Sequence, residues 1–98
     1  MSGPIYNLFF LKPKSSWFHL SKEQQDKLLA KVNACLDKVG GKSVLLCTCD
    51  WANEQWAYFG VEEFPDMDAV RKHAELLREL HWPYEFIDSF STLGTKAQ

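Results

Sequence analysis

Read at period two, the stretch Ile5-Tyr6-Asn7-Leu8-Phe9-Phe10-Leu11 puts Ile5, Asn7, Phe9 and Leu11 on one face and Tyr6, Leu8 and Phe10 on the other. Both faces are largely apolar, which suits a strand in a sheet covered on both sides. The strand is predicted over Pro4 to Leu11 and stops at Lys12-Pro13-Lys14, where proline ends the ladder. A ring-rich loop, Ser15-Ser16-Trp17-Phe18-His19-Leu20, leads to Ser21, which with Gln24 makes a capping-box pattern at the start of a helix. Leu28, Leu29, Val32, Cys35, Leu36 and Val39 then recur at three-four spacing as the buried stripe, and Gly40-Gly41 stops the helix.

The second half repeats the alternation. Ser43 to Cys49 reads as a strand with Val44, Leu46 and Thr48 opposite Leu45, Cys47 and Cys49. A turn over Asp50 to Glu54 leads to a third strand, Gln55 to Glu63, with Trp56, Tyr58 and Gly60 on one face and Ala57, Phe59 and Val61 on the other. Pro65-Asp66 opens a second helix, with Asp66 and Asp68 favourably placed against its dipole. Its apolar face is Met67, Val70, Ala74, Leu77 and His81, widened by Leu76 and Leu80, and Pro83 ends it. Phe86 to Thr92 alternates with polar residues as a sheet edge does, and Thr95 to Gln98 is a tail.

The order βαββαβ is the split βαβ, or ferredoxin-like, α+β plan: a four-stranded antiparallel sheet with two helices on one face, in a single domain spanning 1-98. Right-handed crossovers place strands one and three in the centre. Two helices cover only one sheet face, so the other needs a ligand, a nucleic acid or a second subunit.

Composition narrows that choice. Four Trp, seven Phe and three Tyr raise the aromatic share to 14%, which points to an apolar cavity or an interface beyond an ordinary core. A net charge of −2 opposes a general nucleic-acid binder and docking on an anionic membrane. No apolar run approaches the length of a membrane span and no signal peptide is recognisable. Cys47 and Cys49 point the same way along one strand, a poor arrangement for a disulfide, so all three cysteines are expected reduced and the protein cytoplasmic.

Three stretches, Tyr6-Asn7-Leu8-Phe9-Phe10-Leu11-Lys12-Pro13, Trp17-Phe18-His19-Leu20-Ser21 and Trp82-Pro83-Tyr84-Glu85-Phe86, carry a family likeness. Over essentially its whole length the chain resembles the dimeric α+β barrel superfamily, small darcynin-like and related uncharacterised members above all. The resemblance implies a homodimer through the sheet face and a small hydrophobic molecule between sheet and helices. It further implies chemistry of the kinds found there: cofactor-free monooxygenases, cyclases of polyketides, lyases, isomerases and haem-degrading enzymes. Asn7 with His73 is similar to the pair in the haem-degrading and antibiotic-biosynthesis monooxygenases. Where the haem enzymes carry a Trp, however, this chain reads Glu62-Glu63-Phe64, and no cofactor is expected. Trp56-Ala57-Tyr58-Phe59-Gly60-Val61 and Ile5-Tyr6 also resemble the RNA-recognition strands, but Glu62, Glu63 and the lack of a basic residue on that strand would repel phosphate.

The candidate catalytic residues are His73, Asn7 and Tyr58. His73 lies on the flank of an apolar stripe, where desolvation keeps an imidazole neutral enough to act as a base. Asn7 is the one polar residue on its strand face, and a buried amide can hold a ligand carbonyl or a developing oxyanion. Tyr58 projects from a central strand, suited to donating a proton or stacking on a planar ligand. Phe9, Trp56, Leu77, Trp82 and Tyr84 are candidates for lining the substrate site, with Trp17 and His19 on a loop gating it. No phosphate loop, His-Glu-x-x-His or nucleophile elbow occurs, and Cys47-Thr48-Cys49 lacks the second ligand pair of a metal site. The reading that follows is a cofactor-independent enzyme acting on a small hydrophobic or aromatic molecule. The competing reading is a non-catalytic ligand-binding or dimerisation protein.

Overall fold

The computed structural model describes residues 3–97. Four strands, β1 (Ile5–Pro13), β2 (Lys42–Thr48), β3 (Tyr58–Phe64) and β4 (Ile87–Gly94), form one antiparallel sheet in the order β2-β3-β1-β4. Three α-helices join them: the single turn α1 (Ser15–Phe18), α2 (Lys22–Lys38) and α3 (Met67–Glu79). This is the ferredoxin-like plan, with β1 and β3 central as right-handed crossovers require. Among the described residues no helix is long and apolar enough to cross a membrane.

Local chemistry sets the helix boundaries. The Ser21 hydroxyl accepts from the Gln24 amide at 3.1 Å while the Gln24 side chain accepts from the Ser21 amide at 2.9 Å, a reciprocal capping box. Gly40, at φ +75°, ends α2 in the left-handed region, and the next amide, Gly41 N–H, bonds back to Leu36 O at 3.0 Å. The Asp66 carboxylate accepts from Ala69 N at 2.8 Å and starts α3.

Several elements depart from expectation. The segment 15–20, expected as a loop, is not wholly so, because Ser15–Phe18 closes one helical turn. β3 begins at Tyr58, not Gln55: Asn53 Oδ1 accepts from both Gln55 N and Trp56 N at 2.8 Å, an Asx turn that claims those residues. Trp56 therefore does not share a face with Tyr58. Its ring meets Phe10, 6.2 Å between centroids, on the side away from the helices. A bulge between Ser43 and Leu45 shifts the β2 register. His81 is no part of the helical stripe: α3 is over by Glu79, and His81 takes a left-handed conformation (φ 59°), exposed to solvent. It launches a π-helical turn, Trp82–Phe86, with Pro83 inside it. β4 correspondingly starts at Ile87 and runs to Gly94.

The tight core is small. Phe64 (1% exposed) packs with Leu36 and Ala69, joined by Ile5, Val39 and Val70, where α2 and α3 meet one end of the sheet. Away from that end α2 stands off the sheet: Leu29, expected in the stripe, is 40% exposed. A second cluster forms at the other end, where Trp82 is buried between Trp17 (edge-on, 5.8 Å) and Phe86 (6.3 Å). Lys14 N–H to Phe86 O (2.8 Å), Lys14 Nζ to Tyr84 O (2.7 Å) and the Ser16 hydroxyl to Glu85 O stitch α1 to this turn.

Candidate functional site

Two packed ends with a stand-off between them leave a cavity of about 600 Å³ between the sheet and the helices. Its floor is the helix-facing side of the sheet and its roof is α2, α3 and the π-turn. Phe9 and Leu11 of β1 face Leu29, Val32, Leu77 and Trp82, so most of the wall is apolar. Phe9 keeps its place because it lies over Gly60, its register partner on β3. A Cβ at Gly60 would come within 2.6 Å of the Phe9 ring and 2.7 Å of Leu45 O.

Polar groups converge at one level of this cavity. The register pairs Ser43 with Glu62 and Glu62 with Asn7, so three strands contribute one polar rung on the helix-facing side. Side chains directly opposite in such a rung have Cβ atoms about 4.5–5.5 Å apart. Asn7 Nδ2 donates to Glu62 Oε1 at 3.4 Å, and Asn7 Oδ1 is buried without any partner. His73 of α3 lines the same cavity from the roof, 8% exposed, its ring 5.1 Å from that of Phe64, one rung along β3 from Glu62.

Burial governs the electrostatics. It pushes the Glu62 carboxyl above the usual carboxylate range, and the Asn7 amide offsets only part of that rise. Burial alone pulls the His73 imidazole below its ordinary value, so the ring is neutral at physiological pH. Arg78 and Tyr84 are the other titratable residues on the wall. The arrangement thus offers an imidazole free to accept a proton, a carboxyl inclined to hold one, and an amide oxygen in need of a donor. Among the described residues no group of three His, Cys, Asp or Glu is placed to hold a metal ion.

Of the residues singled out from sequence, Asn7, Phe9, His73, Leu77, Trp82 and Tyr84 line the cavity. Four do not. Tyr58 points to the helix-facing side with its partner Leu11 but beyond the cavity, and Trp56 lies on the opposite side against Phe10. Trp17 sits behind Trp82, bracing the wall without reaching the interior, and His19 is exposed. Glu62 is the residue sequence reasoning passed over. Extending the Tyr58, Gly60 alternation by one step places it on the cavity side, but a glutamate reads first as a solvent group.

No protein-family profile matches the chain, and no curated protein matches it in sequence. Solved structures do. The methylated RPA0582 protein aligns over 100% of this chain and 84% of its own, at 14% identity and a TM-score of 0.72. A second structure of RPA0582, a protein of unknown function from Rhodopseudomonas palustris, gives a TM-score of 0.64. A mutant chlorite dismutase from Candidatus Nitrospira defluvii aligns at 8% identity and a TM-score of 0.68, this chain spanning 43% of that one. The Arabidopsis thaliana protein At3g17210 aligns at 11% identity and 0.54. At such identities the likeness fixes the fold alone: a ferredoxin-like α+β domain.

Proposed function

We propose that the protein is a cofactor-independent enzyme that takes a small hydrophobic or aromatic molecule into the cavity and moves a proton on it. The observation that carries this reading is that a buried, neutral His73 and the buried amide oxygen of Asn7 line one mostly apolar cavity of about 600 Å³. His73 is the general base, taking a proton from a carbon beside the ligand carbonyl, and Asn7 orients the ligand oxygen. Trp82 and Phe9 hold the apolar body and keep water away, which strengthens every polar contact inside. Polyketide cyclase, lyase, isomerase and monooxygenase chemistry all begin with such a deprotonation. The working unit is a homodimer through the open sheet face, where Leu8 (39%), Leu45 (49%) and Phe90 (59%) are too exposed for a lone chain.

The first step is testable without knowing the later ones. In D₂O, the protein is expected to speed deuterium uptake at the α-carbon of an aryl methyl ketone such as 2-acetylnaphthalene, followed by NMR. A positioned base contributes about 10²–10⁴-fold, and His73→Ala should lose that factor while still binding the ketone. Binding without any wash-in would make the protein a ligand carrier, and no binding would remove the cavity reading altogether.

A further inference from the structure

The polar rung has an asymmetry that His73 and Asn7 do not account for. Glu62 lines the cavity with no cation against it: the ion pairs among the described residues join other groups, and its one protein contact is the long bond from Asn7. Asn7 in turn presents a buried acceptor that no protein group satisfies, and such an atom is costly unless something donates to it. A ligand anion would leave water for a mostly apolar space and meet an acidic side chain there. A ligand cation would share the cavity wall with Arg78 and would leave water for a mostly apolar space. A neutral hydroxyl meets neither obstacle. It can donate to Asn7 Oδ1 while its oxygen accepts from the carboxyl form of Glu62, the form that burial favours.

We propose that Asn7 and Glu62 form a receptor for the hydroxyl of a neutral enol or phenol, and that Glu62 is the acid that complements the base His73. This rests on the proton-transfer reading and extends it. The Cα–H bond of a bound ketone breaks, and its proton goes to a ring nitrogen of His73. The C=C bond forms, and the carbonyl oxygen takes the proton of Glu62. The product is an enol whose new O–H donates to Asn7 Oδ1, with imidazolium and carboxylate left on opposite walls and charge conserved. The ligand class is therefore an enolisable aryl or alicyclic ketone, for which a naphthol is a locked enol mimic.

The test uses one apolar body with four heads: 2-naphthol, 2-methoxynaphthalene, 2-naphthoate and 2-naphthylmethylammonium, each titrated calorimetrically into the intact protein at pH 7. The naphthol should bind about tenfold more tightly than the methyl ether, which cannot donate, and more tightly than either charged compound. Asn7→Leu, which removes the acceptor, should erase that preference, while Glu62→Leu should weaken naphthol and methyl ether alike and Glu62→Gln, which keeps a donor, should hold both within about threefold. Equal binding of naphthol and methyl ether, or tighter binding of the anion or the cation, overturns the receptor while leaving the cavity reading in place. If none of the four binds, both fall together.

Discussion

Replacing Glu62 by Gln should stabilise the protein at neutral pH. The substitution keeps the shape and removes the charge. A carboxyl whose pKa is higher in the folded chain keeps its proton longer there, so between the unfolded and folded values the native state binds more protons and stability falls as pH rises. Below the unfolded value both states are protonated and the penalty is gone; above the folded value it is present in full. Each pH unit of displacement is worth about 1.4 kcal/mol. Against this stands the bond from Asn7, which at 3.4 Å is long and worth less than the usual ~1 kcal/mol.

The net expectation is a gain in stability at pH 8, read as roughly 4–8 °C in Tm per kcal/mol for a domain this size, shrinking to nothing by about pH 4. His73 supplies an internal control of opposite sign. Its pKa is depressed by burial, so the unfolded chain binds more protons and stability falls as pH drops through the ordinary imidazole range, in both wild type and variant. Urea unfolding at pH 4, 6 and 8 separates the two. A Glu62→Gln protein that is less stable at pH 8, by an amount that does not change with pH, would mean that the carboxylate is ionised and well held, and the argument from burial would be refuted.

Gly60→Ala should cost about 1–3 kcal/mol, because one neighbour of the new Cβ is the Leu45 carbonyl, which cannot swing aside. Adding Phe9→Ala should recover only the part due to the ring, so thermal unfolding of the two singles and the double shows a coupling between them. On the open face, Leu8→Glu with Phe90→Glu should convert a particle of twice 11.3 kDa into one of 11.3 kDa in sedimentation velocity, the cavity residues being untouched. A wild type that sediments as 11.3 kDa at every concentration would dispose of the dimer.

The parts of the fold that were legible in the sequence are those set by local rules. Period-two alternation of apolar residues marked β1 and β3 as central, and Ser21, Gln24, Gly40 and Asp66 marked helix ends because each acts on backbone groups within a few residues. What escaped depends on distances between layers. A three-four stripe shows which side of α2 faces the sheet, but not that Leu36 touches it while Leu29 stands away over a cavity. The aromatic segments were visible as a surplus of rings, yet their directions are set by turns. The Asx turn of Asn53 sends Trp56 outward, and the left-handed His81 carries Trp82 back over the sheet, with Trp17 bracing it from behind.

Glu62 shows the same limit at the site itself. Alternation gives its side of the sheet, while the inference that a glutamate belongs in water comes from composition, and the two disagree. The conflict is settled by what lies above it: α2 stands off the sheet beyond its contact at Phe64, and the Ser43–Glu62–Asn7 rung faces the space left there. An ionisable side chain kept in such a place with no counter-charge lowers stability relative to an apolar one. The proposed hydroxyl receptor is the use that would offset that loss on a central strand, beside an amide oxygen left without a donor.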